Sequence, residues 1–133
     1  MNPIETNPAV IFGDFVRNTR MGKGLTARIV ASSAEMLPSN FSKLEHGLLT
    51  PPRDAEKQRK LLGALNILVG SADAEKFFDL AAKAANSTPI DLAQIISENE
   101  TVPLLLRTIG NKRLSEDQIR RLVAIVHAPP PKD

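Results

Sequence analysis

From Val10 onward, apolar residues recur at steps of three and four. Val10, Phe12, Phe15 and Val16 fall on one side, with Arg17, Arg20 and Lys23 among the polar positions. That spacing predicts an amphipathic helix, which Gly22 and Gly24 stop. Thr26 is a natural N-cap for a second, short helix with Ile29, Val30 and Ala34 on its inner face. Pro38 suits the first turn of a third helix, from Ser39 to about His46, closed by Gly47. After the loop LLTPPRD, a fourth helix runs from about Asp54 to Asn66 and buries Leu61, Leu62 and Leu65. Ser71 caps a fifth with Phe77, Phe78, Leu80 and Ala81 inward. Thr88 with Pro89 opens a sixth with Leu92, Ile95 and Ile96 buried. Thr101 opens a seventh carrying Leu104, Leu105, Leu106 and Ile109. Ser115 caps an eighth whose stripe is Ile119, Leu122, Val123 and Val126. No segment alternates with period two, so the expected class is all-α.

The expected organisation is a loose tail over 1–9, a helical domain over 10–69, a helical region over 70–127 and a second tail over 128–133. The chain has 133 residues, 42% of them apolar, which is enough for a core. That core is aliphatic, because only five Phe and no Trp or Tyr are present. No apolar run reaches the length of a membrane span, and the opening MNPIETNPAV has neither a basic n-region nor an apolar h-region. A cytoplasmic protein is expected. Without cysteine there are no thiolate metal sites, disulfides or Cys nucleophiles, and two separated His leave little for a His-based metal site. No metal and no cofactor are expected.

Charge is distributed unevenly although its sum is only +2. Residues 1–66 hold nine Lys/Arg against six Asp/Glu, residues 67–100 two against six, and residues 101–133 six against three. A basic front end and a more acidic middle result. The most informative stretch lies between Thr26 and Gly47, where two short helices are joined by a tight turn. The N-terminal edge of the second bears Pro38, Ser39, Asn40 and Lys43, small and polar side chains of a kind that fits the DNA major groove.

Residue by residue, TARIVASSAEMLPSNFSKLEHG resembles the helix-turn-helix of the Cro/C1-type (XRE) repressor family. The likeness spans Phe12 to about Ile67. FGDFVRNTRMGKGLT is similar to the family's first helix and its GLT lead-in, and SKLEHG at 42–47 is similar to its S-[RK]-[IL]-E-x-G ending. The resemblance implies a five-helix-like N-terminal domain of Cro/C1 type, followed here by a C-terminal bundle of about four short helices. It implies that Ser39, Asn40 and Lys43 face bases, that Thr26, Ser42 and Arg53 hold phosphates, and that Arg28 and Pro38 belong to the same DNA-facing surface. It also implies an Arg20–Glu45 pair tying the first helix to the third. Three positions depart from the pattern. Ala27 stands where Gln is usual, Glu35 where the turn is usually Gly, and Leu37 where a Ser/Thr cap is usual. Loss of the cap and a Glu35 charge near the groove would both weaken phosphate affinity.

The family implication is a regulator that binds double-stranded DNA at an inverted repeat as a homodimer, most simply a repressor of its own promoter. The second half is then the dimerisation module, with Leu105, Ile119, Leu122, Val123 and Val126 at the interface. The rival class is a protein-binding module of antitoxin or anti-regulator type, whose C-terminal helices dock a different protein. Enzymatic readings find no support. Asp91, Glu98, Glu100, Glu116 and Asp117 sit at helix ends, where they favour the dipole or water. His46 and His127 lie at helix C-termini, and no phosphate-binding loop, GxSxG or HExxH occurs.

Overall fold

The computed structural model describes residues 7–129, and among them every regular element is a helix. In chain order these are α1 (Pro8–Gly22), α2 (Ala27–Ser33), α3 (Pro38–Glu45), α4 (Ala55–Ala64), α5 (Ala72–Ala85), α6 (Ile90–Glu98), α7 (Thr101–Lys112) and α8 (Glu116–His127). Short polar side chains set most of the starts by accepting the N–H groups that a first helical turn leaves unpaired. Thr26 accepts from the Ile29 N–H at 3.1 Å, Asp54 from Lys57 at 3.1 Å and Ser71 from Ala74 at 3.1 Å. Ser115 and Gln118 form a reciprocal capping box at the start of α8.

Helix α1 begins earlier than its apolar periodicity suggests. Asn7 is its N-cap, accepting from Ala9 N–H at 2.9 Å, and Pro8 occupies the first turn. The expected N-terminal tail is therefore corrected over residues 7–9, while residues 1–6 and 130–133 of the expected tails lie outside the described residues.

The chain divides into two units, the first running to Gln94 and the second from Ile95. In the first, α1 packs on α3 and α5, and α2 packs on α3 and α4. Phe12, Val16, Val30, Phe41, Leu44, Leu61, Leu65 and Phe77 fill the centre, all essentially without solvent contact. Phe77 of α5 meets Phe12 of α1 edge-to-face with centroids 5.3 Å apart, and Phe78 meets Phe77 the same way at 5.4 Å. These contacts correct the boundary expected at 69/70. The fifth helix is a wall of the N-terminal core, because α1 has an apolar side that α2–α4 leave uncovered.

Other expected burials also fail. Ile29 is exposed on α2, as are Leu92 and Ile95 on α6. In the second unit no residue of α7 or α8 is buried. Among the described residues no helix is long and apolar enough to cross a membrane.

Candidate nucleic-acid interface

Helix α3 presents two contrasting sides. Phe41, Leu44 and Glu45 face inward and are buried. Ser39, Ser42, Lys43 and His46 follow one another at i, i+3, i+4 and i+7, and all four are exposed. On a helix that spacing makes one continuous stripe. Asn40, expected beside Ser39 and Lys43, is half-buried and lines a shallow cleft of about 370 Å³ between the α2–α3 turn and α4. The His46 ring donates Nδ1–H to the Ser42 carbonyl at 2.7 Å, which directs Nε2 away from the helix backbone.

The outer stripe is held by its opposite side. Arg20 Nε and Nη2 donate to the two Glu45 carboxylate oxygens at 2.6 and 3.0 Å, a two-point clamp between α1 and the end of α3. The hydrogen bond to Glu45 raises the Arg20 pKa further above its ordinary value, outweighing desolvation. The pair implied by the family resemblance is thus present. Sequence reasoning missed a second anchor. A Cβ on Gly13 would stand 2.5 Å from the carbonyl oxygens of both Leu44 and Glu45, so only glycine lets α1 approach this closely. The signal was a glycine inside an apolar helical pattern, which periodicity alone reads as a mere weakening.

The nine cations of residues 1–66 fall into two groups. Five have intramolecular partners: Arg17 with Asp14, Arg20 with Glu45, Lys60 with Glu35, and two that cap helix C-termini. Lys23 Nζ donates to the Leu65 and Asn66 carbonyls at 3.0 and 2.6 Å. Arg53, expected on phosphate, spends its Nε–H on the Ala85 carbonyl at 2.9 Å and so closes α5. Four remain exposed or half-exposed with no ion pair or side-chain hydrogen bond among the described residues: Arg28, Lys43, Lys57 and Arg59. Arg28 and Lys43 lie on α2 and α3 themselves.

The turn between α2 and α3 resolves two of the departures. Glu35 adopts φ +58°, the left-handed conformation that glycine takes without strain. Its carboxylate accepts from Lys60 Nζ on α4. The Glu35 charge near the turn is thus paired with a cation, and this hydrogen bond is the main reason the Lys60 pKa is raised. Leu37 is the N-cap of α3 and supplies no side-chain hydrogen bond. With Pro38 lacking an N–H, the Ser39 and Asn40 amides at this end have no capping side chain. Thr26 keeps a hydroxyl hydrogen to donate, since its oxygen acts as acceptor at the α2 cap.

The residues expected at a partner interface are also exposed within the single chain: Leu105, Ile119, Leu122, Val123 and Val126. Leu104, Leu106 and Ile125 join them. No protein-family model and no curated protein sequence matches the chain.

Proposed function

We propose that the chain is a DNA-binding transcriptional regulator of Cro/C1 (XRE) type, acting as a repressor at an inverted repeat. The observation that carries this reading is the α3 stripe of Ser39, Ser42, Lys43 and His46, exposed and polar, on a helix whose inner side is fixed by Arg20, Glu45 and Gly13. A short helix of this kind enters the major groove, where Ser39 and Lys43 reach base edges. Thr26, Ser42, Arg28 and the open Ser39 and Asn40 amides contact the phosphates on either side. Arg53 keeps only its terminal nitrogens for that role. Two copies place their α3 helices about 34 Å apart, one turn of DNA, and a promoter covered in this way is closed to polymerase.

The test is a gel-shift or fluorescence titration against DNA from immediately upstream of the gene, at several salt concentrations. Affinity falls with rising salt, and Lys43→Ala lowers it by roughly 1–3 kcal/mol and relaxes specificity at the base it reads. Lys57→Ala, on α4, serves as a control for loss of charge alone. No salt-dependent binding by the wild-type chain would refute the reading. The uncovered apolar surface of α7 and α8 favours, as a second reading, a module that docks another protein. In that case substitutions at Ser39 and Lys43 leave the partner complex intact.

A further inference from the structure

A cleft of about 560 Å³ lies wholly within the first unit, beside the second half of α4. Leu62, Ile67 and Phe78, each less than a tenth exposed, give it an apolar lining. Two charged side chains of opposite sign also line it, Arg59 of α4 and Asp91 in the first turn of α6. This size, an apolar lining and a few convergent polar groups are the marks of a small-ligand site.

The protein itself matches neither charge. Arg59 has no ion pair or side-chain hydrogen bond among the described residues, and it does not pair with Asp91. Asp91 Oδ1 is closed to solvent and has no hydrogen-bond partner. A buried carboxylate oxygen without a donor destabilises a fold, and a donor from outside the chain removes that penalty. Asp91 as a whole is half-buried, and rotation about its last side-chain bond, which is broad for Asp, turns the carboxylate to meet such a donor. Arg59, Leu62 and Gly63 stand at i, i+3 and i+4 on one face of α4. A Cβ on Gly63 would meet nothing within 4 Å, so no close approach of another segment requires glycine there. Glycine is a poorer helix former than alanine, and what its missing side chain leaves is room in the cleft.

We propose that this cleft binds a small zwitterion with an apolar side chain, a free amino acid or a dipeptide. Its ammonium group donates to Asp91, its carboxylate accepts from Arg59, and its side chain lies against Leu62, Ile67 and Phe78. A ligand of one charge leaves either Asp91 or Arg59 unmatched, and an uncharged one leaves both. No residue of α3 lines the cleft, so the inference goes beyond DNA recognition and does not rest on it.

The test is titration calorimetry and thermal unfolding of the full chain with leucine, phenylalanine and leucyl-leucine. A ligand held by the folded chain raises the melting temperature with its concentration. Tighter binding of leucyl-leucine than of either amino acid assigns a dipeptide, and the reverse order a free amino acid. N-acetylleucine lacks the ammonium group and leucinamide the carboxylate, and each is expected to bind at least tenfold more weakly than leucine. Asp91→Asn keeps the side-chain shape and erases the preference over N-acetylleucine, while Arg59→Ala erases the preference over leucinamide. Gly63→Leu fills the cleft and abolishes binding without lowering the melting temperature of the free chain, and Lys57→Ala leaves binding unchanged. Should Gly63→Leu fail to fold, the two charge variants decide. Absence of binding by all three zwitterions at millimolar concentration overturns the inference, as does equal binding of the blocked analogues or undiminished binding by a folded Gly63→Leu chain. A chain that binds the zwitterion but no DNA removes the proposed function alone, and the converse removes this inference alone.

Discussion

Arg20 and Glu45 stand on different helices, 25 residues apart, and meet through two hydrogen bonds of 2.6 and 3.0 Å. Glu45 is only 4% exposed, and among the described residues its ion pair is with Arg20. Removing either partner strands the other. Arg20→Ala is expected to cost about 3 kcal/mol, at the lower edge of the range for buried pairs because the Arg20 side chain still reaches solvent. Arg20→Lys recovers part of this, since an ammonium cannot engage both oxygens. Arg20→Met with Glu45→Leu costs less than the two single changes added. Urea denaturation of the four proteins closes the double-mutant cycle, and additivity of the single losses would contradict the clamp.

Gly13 makes a paired prediction with Gly63. Adding a methyl at Gly13 drives it into the Leu44 and Glu45 carbonyls, backbone that cannot swing aside, so Gly13→Ala loses about 2–3 kcal/mol. Gly63 lies in α4 with nothing within 4 Å of its would-be Cβ. There the same exchange gains about 0.5–1 kcal/mol from reduced chain entropy. Thermal unfolding of both variants distinguishes contact from propensity, because propensity alone would stabilise both.

At Glu35 backbone strain and charge pairing act in opposite directions. Glycine at φ +58° relieves roughly 1 kcal/mol of strain but forfeits the contact with Lys60. That pair is open to solvent and contributes little, so Glu35→Gly is expected to raise the melting temperature. The pH dependence has a definite sign. The folded-state pKa of Lys60 is raised, so its contribution is present below the ordinary lysine value of about 10.4 and is lost as pH rises through the raised one. The advantage of the glycine variant over wild type should widen in alkaline solution. A constant gap from neutral to strongly alkaline pH would show that the ion pair plays no part.

Phe77 tests where the N-terminal unit ends. Phe77→Ala removes a side chain with no exposure that contacts Phe12, and should cost about 3–5 kcal/mol in the unfolding of α1–α5 together. Hydrogen exchange on α1 and α3 then accelerates in step with α5. Were α5 part of a separate region, protection in α1 would be unaffected.

Much of the N-terminal unit was legible because its signals are local. Thr26, Asp54 and Ser71 mark helix starts by a hydrogen bond that reaches only three residues ahead. The Arg20–Glu45 contact was legible through resemblance, and Ser39 and Lys43 through the small polar edge of the third helix, whereas the place of His46 in the same exposed stripe was not. What stayed hidden depends on approach between distant segments. The apolar side of α5 reads the same whether it packs on α1 or on α6, so Phe77 alone could not place the boundary. Arg53 was assigned to phosphate by resemblance, and nothing near it in sequence announces that the Ala85 carbonyl lies within reach. Lys60, 25 residues on from Glu35, escaped notice for the same reason.

The anchors of α3 all lie on its inner side and toward its C-terminal end, at Leu44 and Glu45. The outward residues Ser39, Ser42, Lys43 and His46 contribute no core contact, and of these only the His46 ring makes a hydrogen bond, to its own helix. Heritable change at these four positions is thereby uncoupled from folding. Exchanges among polar residues at these four positions should leave the unfolding free energy nearly unchanged, whereas exchanges at Gly13, Arg20 and Glu45 lower it.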